Sequence, residues 1–129
     1  MKYLLLAWHR EDSWEALSPM EADTLIRECR PYDDALRDSG HLIVMEGLQS
    51  TSHAMTVRTR NGRICITDGP YAETKEQLGG FYLIEARDLN EAIQVATNTA
   101  AARLGEKLGW VVEVRPVAEP TPGTPGDEA

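Results

Sequence analysis

Apolar positions change their spacing several times along this chain, and each change marks an element. Tyr3 to Trp8 is an unbroken apolar run of strand length, the pattern of a strand covered on both faces and placed centrally in a sheet. Beyond it the spacing lengthens: Ala22, Leu25, Ile26, Cys29, Tyr32 and Leu36 recur at three- and four-residue intervals and form one apolar helical face. Ser18 before Pro19, with Glu21 in the first turn, predicts where that helix starts, since the serine can accept from an unpaired backbone NH and the proline has no NH to leave unpaired. The helix is expected to run to about Ser39 with a kink at Pro31, and Gly40 follows as the residue that leaves the last turn.

His41 to Leu48 reads as a second strand, followed by a loop at Gln49 to Ser52. Asn61-Gly62 then separates two strand-type runs, Met55 to Arg60 and Arg63 to Thr67, and predicts a hairpin closed by a type I′ turn. Asp68-Gly69-Pro70 ends the hairpin: the glycine can take positive φ, the proline fixes its own φ, and the aspartate can accept from nearby backbone NH groups. Gly80 to Ala86 has strand character, and Asp88 caps a second helix with Leu89, Ala92, Ile93, Ala96 and Ala100 on one face. In Trp110 to Val117, Val111, Glu113 and Arg115 alternate with Val112, Val114 and Pro116, the pattern of a half-exposed strand. The order is that of an α+β fold, ferredoxin-like βαββαβ with an extra β-hairpin. Helices would cover one sheet face, and the apolar residues left on the other predict a homodimer of the dimeric α/β-barrel type.

The 129 residues, 42% of them hydrophobic, are enough for one domain with its own core, expected over residues 1–118. Residues 119–129, EPTPGTPGDEA, have no apolar anchor and are expected to be a disordered C-terminal tail. A net charge of -8 argues against direct contact with nucleic acid, which depends on a basic surface. No apolar run is long enough to span a membrane, and MKYLLLAWHRED does not read as a secretory signal, so a cytoplasmic location is expected. Cys29 and Cys65 lack CxxC spacing and read as buried free thiols. Arg58, Arg60 and Arg63 around the hairpin tip are either a solvated turn or a small anion site.

Candidate chemistry concentrates in DGPYAETKEQLGG, where Asp68, Glu73, Lys75 and Glu76 precede the Gly79-Gly80 pair. Lys75 could hold an anionic substrate beside Glu73 and Glu76, or all three could belong to a solvated loop. His41 at a strand start is the first candidate general acid or base, with His9 and His53 behind it, because imidazole ionises near neutral pH. Asp68 could orient a histidine or simply stabilise its turn. The histidine spacing supports no metal site, and no phosphate loop, dinucleotide fingerprint or nucleophile motif is present, so no cofactor is expected.

The segments TVRTRNGRICITDGPYAETKEQLGGFYLIEARDLNEAIQVA and VVEVRPV, together with the leading MKYLLL, resemble the DGPF subgroup of the YCII-related family from Met1 to about Ala118. The resemblance implies a small, cytoplasmic, dimeric ferredoxin-like protein with a cleft lined by His41, Asp68, Glu73, Lys75 and Glu76. Tyr71 stands where the subgroup usually has Phe, adding a hydroxyl to a residue expected beside the substrate. Glu106 to Trp110 looks like an insertion relative to the family pattern. Some relatives resemble enzymes that remove chloride from chlorinated hydroxyquinones, and others are fused or genetically adjacent to alternative sigma factors.

Two functional expectations follow. One is a cofactor-independent enzyme that moves a proton on a small organic substrate through His41 and Asp68, with Tyr71, Glu73, Lys75 and Glu76 at the substrate. The other is a non-catalytic ligand-binding or regulatory module linked to transcription through a sigma-factor partner.

Overall fold

The computed structural model describes residues 1–119. The chain forms β1 (Lys2–Arg10), α1 (Glu11–Glu15), α2 (Pro19–Asp38), β2 (Leu42–Gly47), β3 (Met55–Arg60), β4 (Arg63–Asp68), β5 (Glu76–Glu85), α3 (Leu89–Thr97), α4 (Ala100–Leu104) and β6 (Val111–Pro116), with short 3-10 turns at Thr51–His53 and Glu106–Leu108. The main sheet has four strands in the order β2-β5-β1-β6, all neighbours antiparallel, and among the described residues β3 and β4 pair only with each other. This is the ferredoxin-like α+β arrangement with its extra hairpin, and β1 is central as its apolar run predicts. The expected tail beyond residue 119 lies outside the described residues.

Local signals account for most element ends. Ser18 accepts from the Glu21 backbone NH at 3.1 Å while the Glu21 carboxylate accepts from the Ser18 NH at 2.9 Å, which completes the capping box at the start of α2. The same exchange holds the Glu21 carboxyl below its usual range. α2 continues through Pro31 to Asp38 as one helix. Asn61 and Gly62 both take positive φ, 50° and 75°, as the type I′ turn requires. The expected single helix after Asp88 is two: α3 ends near Asn98, and Thr99 caps α4 by accepting from the Ala102 NH.

The core lies between the sheet and the helices. Strand alternation puts Tyr3 and Leu5 of β1 and Tyr82 and Ile84 of β5 on the helix side, against Leu36, Ala92, Ala96 and Ala101. Leu5 and Ile84 are fully buried, each stabilising the fold by about 2 kcal/mol. The small residues on α3 and α4 let those helices approach closely, whereas Leu89 and Ile93, expected on the buried face, are largely exposed.

Two glycines are required by what passes them. A Cβ at Gly80 would come within 2.8 Å of the Glu46 carbonyl oxygen, so β2 and β5 pair at this point only around a bare backbone. At Gly105 a Cβ would lie 2.3 Å from Trp110 Cβ and 2.4 Å from the Ala101 carbonyl oxygen.

Candidate functional site

The sheet outlasts its helix layer at the end where β1 finishes, and a cleft of about 580 Å³ opens there. Its floor is made of Ala7 to His9 on β1 and Gly79 to Tyr82 on β5, and one wall is the middle of α2 at Leu25, Ile26 and Cys29. Trp14 of α1 and Trp110 close the opposite side, their rings stacked with centroids 6.5 Å apart. Residues 46–50 form the rim.

His9 reaches this floor by parity and by a bulge. Tyr3, Leu5, Ala7 and His9 share the helix-facing side of β1 through the two-residue strand period. The register with β5 slips after Ala7, which pairs with Gly80, while Trp8 pairs with Leu78. Gly79 is therefore the extra residue of a β-bulge. Its carbonyl turns to accept from the Leu48 NH at 2.8 Å, tying the rim to the floor. The His9 ring fills the space a side chain at Gly79 would take, since a Cβ there would lie 2.7 Å from Cδ2 and 2.8 Å from Nε2.

The rim is fixed by Glu11, whose carboxylate accepts from the Thr51 NH at 2.7 Å and from its hydroxyl at 2.5 Å. Two neighbours, Cys29 and Tyr82, are held toward their neutral forms. Burial pushes the Cys29 thiol up, helped by the charges of Asp33 and Glu28, and burial pushes the Tyr82 phenol up to about 12. Cys29 therefore offers no thiolate nucleophile. Of the three histidines, His9 alone lines the cleft, so it carries the side chain type suited to proton exchange at neutral pH.

The structure does not bring the expected site residues together. His41 lies in a separate depression with Glu85, Arg87 and Glu91, its Nδ1 2.9 Å from the Glu85 carbonyl oxygen and 3.9 Å from a Glu91 carboxylate oxygen. Asp68 ends the hairpin opposite Met55, where Gly69 takes φ 98° and donates to the Ala54 carbonyl, and it lines neither the cleft nor the His41 depression. Tyr71 is 81% exposed with the Arg58 guanidinium 5.4 Å from its ring centroid. Glu73 is exposed beside Gly69, and Lys75 and Glu76 line a shallow depression with Trp8, Arg10 and Thr74. Among the described residues no group of three or more His, Cys, Asp or Glu side chains is placed to hold a metal ion.

His9, ranked behind His41 in the sequence, is the histidine of the cleft, and the residues passed over are Glu11, Trp14 and Trp110. The Glu106–Trp110 stretch is one of its walls: the 3-10 turn at Glu106–Leu108 buries Leu108, and Gly109 at φ 66° delivers Trp110 to Trp14.

Comparison with known proteins agrees with this architecture. An uncharacterised protein of Rhizobium meliloti is 35% identical over 123 residues, covering 95% of this chain and 97% of that one. The solved structure of 5-chloro-2-hydroxyhydroquinone dehydrochlorinase from Burkholderia phenoliruptrix, in complex with 2,5-dihydroxybenzoquinone, superposes with a TM-score of 0.51 at 16% identity. That alignment covers 93% of this chain and 96% of the other, and at this identity it establishes a shared fold. No helix among the described residues is long and apolar enough to cross a membrane. Residues 1–119 match the YCII-related domain, and the chain belongs to that family.

Proposed function

We propose that the cleft binds a small organic molecule and that His9 exchanges a proton with it, in an enzyme that needs no bound cofactor. The observation that carries this reading is the His9 imidazole set into the floor of a 580 Å³ apolar cleft by the Gly79 bulge. A ligand of one aromatic ring fits such a volume, and the Trp14–Trp110 pair offers it a stacking surface. The shared fold of a dehydrochlorinase that binds a dihydroxybenzoquinone supports a small-molecule role. His41 and Asp68 take no part in this reading, because they line no common cleft, and Tyr71, Glu73, Lys75 and Glu76 lie outside its lining.

The test is to incubate the protein with a panel of small phenols and ketones in deuterated water and follow exchange of acidic C–H positions by NMR. Exchange by the wild type, lost in His9→Gln while ligand binding persists, is the expected result. Binding without exchange would instead mark a ligand-sensing module.

That second reading has its own support in the hairpin. Val57, Ile64 and Ile66 are 62%, 66% and 63% exposed, more apolar surface than a free hairpin face needs, and a protein partner would cover it. A sigma factor would be one such partner. We also propose a homodimer, joined through the sheet face opposite the helices, where Leu4, Leu6 and Leu83 alternate with the core residues.

A further inference from the structure

We infer that the cleft selects its ligand by charge, taking an aromatic or apolar molecule that is neutral or carries an amine and rejecting carboxylates. This rests on the reading of the cleft as a ligand site and adds the class of ligand. Every residue in its lining with a formal charge at neutral pH is an acid: Glu11, Glu15 and Glu46, of which Glu46 is paired with Phe81 and so has its side chain on the sheet face away from the cleft. No lysine or arginine lines it. The nearest strand cation, Arg10, is turned away into an ion pair with Asp12 at 3.0 Å, and it lines the separate depression that also holds Lys75. Glu11 spends both carboxylate oxygens on Thr51, which fixes its negative charge at the mouth.

The remaining lining makes those charges effective. The stacked indoles of Trp14 and Trp110 border the cleft, and indole faces attract cations. A ligand carboxylate in the cleft meets the charges of Glu11 and Glu15 and no pairing partner. A ligand ammonium meets the opposite field. The anion-holding role open to Lys75 from the sequence does not reach this site.

Three probes of nearly equal shape separate the possibilities: 2-phenylethylamine, 2-phenylethanol and phenylacetate, titrated calorimetrically and by tryptophan fluorescence. The amine should bind best and the acid at least about tenfold more weakly than the amine. In Glu15→Gln, a position exposed at the cleft edge, the ratio of amine to acid affinity should fall by about threefold. An acid that binds as tightly as the amine, or an amine-to-acid ratio unchanged in Glu15→Gln, overturns the inference. If it fails while His9-dependent exchange of other ligands persists, the proposed reaction stands without it. If no aromatic probe perturbs tryptophan emission at millimolar concentration, the cleft is not a ligand site and both readings fall.

Discussion

His9 and Gly79 share one volume: the imidazole lies where a β-carbon of residue 79 would be, 2.7 Å from its Cδ2. The atom displaced in a Gly79→Ala variant is on a side chain at the edge of a cleft, so the ring can swing away and the fold persists. We expect a stability loss of about 1 kcal/mol, with proton exchange reduced as far as in His9→Gln. Thermal melts and the NMR exchange assay measure the two effects separately. Wild-type exchange by Gly79→Ala would mean the ring's position does not matter.

Gly105 is a harder case, because its neighbours cannot retreat. A methyl group there meets Trp110 Cβ at 2.3 Å and the backbone carbonyl of Ala101 at 2.4 Å. Gly105→Ala should cost about 3 kcal/mol and pull Trp110 away from Trp14. A lower Tm together with a red-shifted tryptophan emission is the expected outcome, and an unchanged emission maximum would show that the wall survives.

Tyr82 predicts an alkaline limb to stability. Burial raises its phenol to about 12 from an ordinary 10.0, so between those values the folded chain holds a proton that the unfolded chain releases. Stability therefore falls as pH rises through that window. Tyr82→Phe should flatten this decline, and ultraviolet titration of the wild type should show one of its four tyrosines ionising last. An alkaline limb unaltered by Tyr82→Phe would assign the decline to other groups.

The proposed dimer is testable at Leu83, half-buried on the sheet face away from the helices. Leu83→Glu should leave the far-ultraviolet circular dichroism unchanged and shift sedimentation from dimer to monomer, because a charge buried in an apolar interface without a partner is expensive. A wild type that already sediments as a monomer removes the proposal.

Element order was legible because its signals are local. Ser18-Pro19 with Glu21, Asn61-Gly62, and Asp88 each specify backbone geometry through a few neighbouring atoms, and each appears where expected. The start of β5 was missed by four residues, since Glu76 and Gln77 look like loop but are held by pairing with Arg10 and His9. The cleft was less legible, for it is assembled from β1, α1, α2, β5 and the 105–110 turn, and no local signal reports their convergence. One clue was present. His9 has the same strand parity as Tyr3 and Leu5, so a central β1 facing helices on that side already aimed it inward. His41 drew notice by following Gly40, although that position is explained by its contact with the Glu85 carbonyl.

The separate pairing of β3 with β4 has a consequence for how this molecule can diversify. The four-stranded sheet closes without the hairpin, so its length, tip and surface can be rewritten while the scaffold that holds His9 stays as it is. The Glu11 to Thr51 tether marks the border of that freedom. Changes within the hairpin alter what the protein meets, and changes in the sheet and helices alter what the cleft accepts.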